Sequence, residues 1–346
     1  MDIRQLESIL LKLKDVSILV LGDYFLDKYL LLDPALNEKS IETGLTAYQV
    51  VVKKLNPGAA GTVTNNLRAL GVGKVMALGV AGDDGEGFEL VKGLRATGVL
   101  TDNMVITRER FTPTYIKPMM MNMDGNREID RIDIKNRIPT PSWIEDAIIE
   151  RLSRLSCEVD AIIVMDQVTE KDCGTVSGRV RKKLAELGET RNDLIIYADS
   201  RAFTYFFNEI IVKCNEYELL KAFNNDTGIV QDEELIRKYG VMLSSKNNKP
   251  VFVTKGSRGQ IVFEGNKVSE IPVVPVEGPL DICGAGDATT AGIISALCCG
   301  TSYCDAALFG NIVASVAIQQ LGTTGTASPE QILARYREFI LGRHYE

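Results

Sequence analysis

The chain has 346 residues, 45% of them hydrophobic, and a formal net charge of −7. That length suffices for one large α/β domain, and the acidic balance speaks against nucleic acid as a general partner. No run of about 18 uninterrupted apolar residues occurs and the N-terminus lacks the apolar core of a secretory signal, so neither a membrane span nor membrane association is expected.

In chain order, an apolar, partly β-branched run at 17–21 predicts a first buried strand. A polar, irregular segment follows, and 45–53 then reads as a strand without a partner helix. Val63, Leu67 and Leu70 share one face of a predicted helix that stops at Gly71. A strand at 75–80 comes next. Residues 112–122 and 127–134 read as two strands joined across Met123-Asp124-Gly125-Asn126, where Asp-Gly signals a tight hairpin. Runs at 161–165, 194–198, 210–212 and 251–254 again predict buried strands, with a helix over 175–187 between two of them. Strand alternating with helix predicts a doubly wound, mostly parallel sheet covered by helices on both faces. The orphan strands cannot join it, and predict a small β-sheet projecting near the strand ends where ligands bind, with lid segments at about 31–55 and 108–137 of one domain spanning 1–346.

Seven cysteines with no CxxC pair fit reduced thiols in a cytoplasm better than a disulfide framework or a zinc site. The one histidine, His344, stands near the C-terminus, which excludes histidine triads and multi-histidine metal sites. Chemistry must rest on carboxylates, lysines, cysteines, backbone amides or a bound cation. The most informative stretch is Asp281-Ile-Cys-Gly-Ala-Gly-Asp287, running into a helix of small residues. Gly284, Ala285 and Gly286 ahead of a helix N-terminus predict outward-pointing amides that hold a phosphate in transfer. Asp287 in the first turn suits a base that accepts the proton of an attacking hydroxyl, or a plain helix cap. No GxxxxGK[ST] loop, no GxGxxG after the first strand and no HRD or DFG set is present.

The Asp281–Asp287 segment resembles the D-[TV]-x-G-A-G-D signature of the PfkB/ribokinase family of carbohydrate kinases, with Cys283 where Thr or Gly is more usual. The likeness runs in family order from about residue 17 to about 327. It implies a ribokinase-like fold, ATP and Mg²⁺ as cofactors, and Asp287 as catalytic base. By the same resemblance Asp27, in Gly22-Asp-Tyr-Phe-Leu-Asp27, would bind a sugar hydroxyl. Asn56-Pro-Gly58-Ala59-Ala60-Gly61-Thr62 is similar to the N-x-G-G-A-x-x-N substrate loop, with Ala59 in place of a second glycine and Thr62 in place of an asparagine. Asn215-Glu-Tyr-Glu218 matches N-x-x-E, which implies that Asn215 and Glu218 organise Mg²⁺ and phosphates, Glu218 acting through water. Thr254-Lys-Gly256-Ser-Arg-Gly259 resembles the nucleotide loop, and Asn311 falls where the family has an adenine-side contact. The resemblance also allows a potassium (K⁺) site near Asp281.

Within the family, Gly22-Asp23…Asp27, Arg131-Ile-Asp133 and Asp199-Ser-Arg201…Phe203-x-Tyr205 look most similar to the heptose-phosphate kinases of ADP-heptose synthesis. On that likeness Lys117 and Arg131 of the predicted lid would hold a sugar phosphate, or stand as solvated charges on a hairpin. Two other readings stay open: a catalytically silent sugar- or nucleotide-binding relative, and a nucleoside kinase on the same scaffold. An isolated small sheet exposes apolar faces and edges, which predicts a homodimer clasped through the two lids.

Overall fold

The computed structural model describes residues 1–122, 125–224, 232–322 and 324–343. His344 and the Met123-Asp124 half of the expected hairpin tip lie outside them. An eight-stranded sheet forms the body, in the order Lys267–Ile271, Gln260–Glu264, Val251–Thr254, Ile211–Asn215, Ile195–Ser200, Ala161–Asp166, Ser17–Gly22, Lys74–Leu78. Gln260–Glu264 runs antiparallel to both its neighbours, and all other neighbouring pairs are parallel. The strand Ser17–Gly22, next to the Lys74–Leu78 edge, shows why a run such as Ile18–Leu21 is wholly apolar. Ile18 and Val20 point into one core with Ala77 and Ile163, and Leu19 and Leu21 into the other with Ile162 and Val164. A strand covered by helices on both faces has no position left for a polar residue.

The expected helix at 175–187 spans Gly178–Thr190, capped by Ser177. The expected strand at 75–80 ends at Leu78, and Val80–Gly82 pairs instead with Val105–Thr107. Among the described residues no helix is long and apolar enough to cross a membrane.

The orphan strands form a separate five-stranded sheet. Tyr24–Leu32 lies at its centre, antiparallel to Val50–Ala59 and parallel to Thr114–Met120. Arg127–Glu128 and Ile132–Ile134 both pair antiparallel with Thr114–Met120. The strand expected at 45–53 is thus shifted to Val50–Ala59, because its register on Tyr24–Leu32 continues through Asn56, Pro57 and Gly58, opposite Asp27, Leu26 and Phe25. Only Thr46–Ala47 remains of its first part, paired with Glu38–Lys39.

Lid and body are continuous: a single residue, Asp23, separates the strand Ser17–Gly22 from Tyr24–Leu32. Its buried carboxylate accepts hydrogen bonds from the amides of Gln167, Val168 and Thr175 at 2.9, 2.9 and 2.7 Å. The lid's root is therefore tied to the loop that follows the next parallel strand, at the carboxyl end of the sheet where open α/β folds bind ligands.

Candidate active site

The Ala285–Cys298 helix begins at Gly284, whose φ of +80° is left-handed backbone that glycine adopts without strain. No side chain caps the helix start. The Ala285 amide donates to Ile282 O at 3.1 Å, so the amides of Gly286 and Asp287 are the ones left facing the cleft. Ala288 through Leu297 are all buried, and a Cβ on Gly292 would lie 2.8 Å from the Gly310 Cα of the neighbouring Tyr303–Ala317 helix. The run of small residues is what lets this helix pack deep enough to bring its N-terminus to the sheet ends. On its other side a Cβ on Gly284 would lie 3.5 Å from Thr62 Cγ2, which brings the Ala60–Ala69 helix to the same point.

Asp287 is half-buried in the first turn. Burial, and then the negative charge of Asp199, push its carboxyl up to about 7, with Lys213 and Arg201 pulling the other way. Lys213 is an ammonium buried in the strand Ile211–Asn215. Its Nζ donates to Asp199 Oδ2 at 2.6 Å and lies 3.5 Å from Gly286 O. Thr290 Oγ1, one turn into the helix, donates to the same Asp199 oxygen at 3.0 Å. Asp199 thus joins a sheet end, the lysine and the helix start in one cluster.

Asn215 and Glu218 form a reciprocal capping box for the Glu216–Ala222 helix. The Glu218 amide donates to Asn215 Oδ1 and the Asn215 amide donates to Glu218 Oε2, both at 2.8 Å. Burial and Asp199 raise the Glu218 carboxyl. Asp199, Arg201, Lys213, Asn215, Glu218 and Asp287 line one open cleft of about 500 Å³, which Thr254 and Gly256 also reach. Among the described residues no cluster of three or more His, Cys, Asp or Glu is placed to ligate a metal ion. Such a donor set fits a Mg²⁺ held by phosphates and water, with one carboxylate nearby, and not a metal caged by protein.

Other expected contacts are engaged within the protein. Asn311 accepts from Gln260 Nε2 at 2.6 Å and donates to Pro272 O at 2.7 Å. A Cβ on Gly259 would collide with Ile271 O, so this glycine serves the packing of the strand hairpin. Both carboxylate oxygens of Asp281 accept amides, from Cys283 at 3.0 Å and Gly322 at 3.1 Å.

On the lid side a Cβ on Gly58 would overlap Asp27 Oδ2, which explains glycine there. Burial raises the Asp27 carboxyl, while Lys117 Nζ, 3.6 Å from its Oδ1, opposes the shift. Lys117 also donates to Tyr29 OH at 3.1 Å. Arg131 donates to Asp133 at 2.7 Å and stacks 4.1 Å above the Tyr115 ring. Ala59 holds a φ of +53° with ψ −117°, a conformation natural for the glycine it replaces. Lys213 is the residue of this cleft that motif reading does not mark. A lysine inside an otherwise buried strand, two residues before Asn215, is the signal that identifies it.

The description "pfkB family carbohydrate kinase" matches residues 28–331. The chain is 27% identical over 334 residues to the bifunctional protein HldE of Pelobacter propionicus, covering 96% of this chain and 66% of that protein. It is 29% identical over 338 residues to the bifunctional protein HldE of Citrifermentans bemidjiense, with the same coverage. The chain therefore spans just under two thirds of these relatives' length. Its fold is shared with Arabidopsis thaliana ribokinase, solved with ribose and ATP, at a TM-score of 0.66 and 19% identity over 92% of this chain and 98% of that one. Escherichia coli phosphofructokinase-2 with fructose-6-phosphate gives 0.69 and 16% over 94% and 99%. A family match over most of the chain, on a ribokinase-like fold, makes this protein a member of the pfkB family and a carbohydrate kinase.

Proposed function

We propose that the protein transfers the γ-phosphoryl group of Mg-ATP to a hydroxyl of a sugar or sugar phosphate, with a heptose phosphate as the favoured acceptor class. The observation that carries this reading is Asp287 at an uncapped helix start, beside the Gly286 and Asp287 amides and facing the cleft. The acceptor oxygen forms a bond to the γ-phosphorus as the bond to the β,γ-bridging oxygen breaks, ADP leaves, and the acceptor's proton passes to Asp287. A carboxyl held near 7 suits a general base, being ionised often enough to accept the proton and basic enough to keep it. The amides and Lys213 face the charge on the transferred group.

Mg²⁺ would neutralise phosphate charge, with Glu218 oriented by its capping box to hold a metal-bound water. Asp27, Gly58, Ala59 and Thr62 form the wall offered to acceptor hydroxyls, and Thr254 and Gly256 the wall offered to the nucleotide. Asp281 acts as a tie between the anion loop and Gly322, and its carboxylate is where a potassium ion would sit if one serves this kinase. Retention of Asp287 with its glycines counts against a silent binding relative. The main aromatic of the lid wall, Tyr115, is covered by Arg131, which counts against a stacked nucleoside base.

ADP release in the presence of a panel of sugars and sugar phosphates, heptose 7-phosphate included, tests the assignment. Turnover with at least one member is expected, and turnover with none would defeat it.

A further inference from the structure

A second, partly open cavity of about 50 Å³ lies beside the main cleft, between the lid strands and the loop after Ala161–Asp166. Only Gln167 and Arg201 line both spaces. Room of that size takes roughly three to five waters or a group as large as a phosphate.

Its wall carries Arg110, Lys135 and Arg201. Arg110 is committed to the backbone, donating to Ile138 O at 2.8 Å and to Cys173 O. Arg201 differs. Its amide is pinned to Asp166 O at 3.0 Å, and the preceding Ser200 hydroxyl donates to Asp166 Oδ2 at 2.9 Å. Its guanidinium, by contrast, has no hydrogen bond or ion pair among the described residues. Lys135 has one loose partner, Asp133 at 3.8 Å. The two carboxylates on the wall are already engaged: Asp23 by three amides, and Glu170 by Thr169 and by Arg137 at 3.9 Å. Lys117 and Arg131, two further lid cations, have Asp27 and Asp133 for partners.

We propose that this cavity receives a phosphate monoester at the end of the acceptor remote from its reacting hydroxyl, and that Arg201 is the residue that selects phosphorylated over unphosphorylated acceptors, assisted by Lys135. The inference rests on the kinase reading above and adds to it the charge and placement of the acceptor's far end. A firmly placed backbone with a free planar fork suits bidentate phosphate recognition. Arg201 and Gln167 stand where this cavity meets the cleft that holds Asp287.

The test compares heptose 7-phosphate with the same heptose unphosphorylated, reading the ratio of kcat/KM for the pair. Wild type favours the phosphorylated acceptor. In Arg201→Met the ratio falls about 10- to 100-fold, chiefly through KM of the phosphorylated acceptor, and Arg201→Lys recovers part of it. Lys135→Met, on a half-exposed lid side chain, lowers the ratio about 3- to 10-fold and serves if the Arg201 variants fold poorly. A ratio unchanged in these variants, or a wild type that prefers the unphosphorylated heptose, overturns this inference and leaves the kinase reading intact. A wild type that phosphorylates neither acceptor overturns both.

Discussion

Lys213 Nζ sits 2.6 Å from Asp199 Oδ2, with both side chains under 10% exposed. Beside that pair stand two more carboxylates, Asp287 and Glu218, both raised by burial and by the Asp199 charge. One buried ammonium, helped by Arg201, opposes the rise of both the Asp287 and the Glu218 carboxyls. Removing it leaves Asp199 buried and unpaired, which typically costs about 3–5 kcal/mol. Lys213→Met should lose stability of that order in urea denaturation. Lys213 also pulls the Asp287 carboxyl down, so its loss should move the acid limb of the pH–rate profile upward. A profile left in place by Lys213→Met would show that the lysine only holds the fold.

Asp287 gives a pH prediction of definite sign. A general base must be ionised, so turnover should fall as pH drops through about 7, the position to which the carboxyl is pushed. Asp287→Asn should reduce turnover by about 10²–10⁴-fold or more while ATP still binds. Near-normal turnover would remove Asp287 from its role.

The same shift speaks about stability. The folded carboxyl titrates above its unfolded value of 3.8, so its contribution is fully present below about pH 4 and is lost as pH rises through about 7. At neutral pH the ionised group burdens the fold. Asp287→Asn should then be more stable than wild type at pH 8 by about 1–2 kcal/mol, after allowance for solvent and Lys213, with the difference closing near pH 4. Thermal denaturation at the two pH values checks this. An equal effect at both would mean that charge is not the cause.

Much of this site is legible in the sequence because its signals are local. Gly284-Ala-Gly286-Asp287 announces a helix start open to anions, and the apolar runs at 17–21 and 161–165 announce strands buried on both faces. What sequence does not disclose is pairing at a distance. Tyr24–Leu32 begins one residue after Ser17–Gly22, so its burial looks like a continuation of that strand rather than the middle of a second sheet. Asn311 carries the polarity expected of a ligand contact, yet its partners Gln260 and Pro272 come from a hairpin that turns at Gly265. Asn215 and Glu218 satisfy the same spacing as a capping box and as a family motif, and the geometry is that of the box. The box does not oppose the proposed role, since fixing the glutamate would also aim it.

Ala59 offers a test of strain at the acceptor wall. Its φ of +53° with ψ −117° lies where a side chain costs of order 1–3 kcal/mol, and glycine would relieve that at about 0.5–1 kcal/mol of chain entropy. Ala59→Gly should therefore stabilise the protein by about 0.5–2 kcal/mol in urea denaturation. Ala59→Val should destabilise it, because branching at Cβ worsens the same clash. A destabilising glycine would mean that the methyl makes contacts worth more than the strain.

The lid raises the question of what covers it. Val50, Val51 and Val52 are each more than 40% exposed although consecutive strand residues face opposite sides, so both faces of this edge strand meet solvent, and Ile132 is 55% exposed across the same sheet. A long apolar edge left bare invites pairing with another chain. Two copies of the chain clasping lid to lid would cover these residues and hold the acceptor wall built from Tyr24–Leu32 and Val50–Ala59 in place. Sedimentation at micromolar concentration should then report a dimer, and Val51→Asp should shift it to monomer with a raised KM for the acceptor. A wild type that sediments as monomer across that range would sink the clasp, because no second copy would then be present to bury the strand.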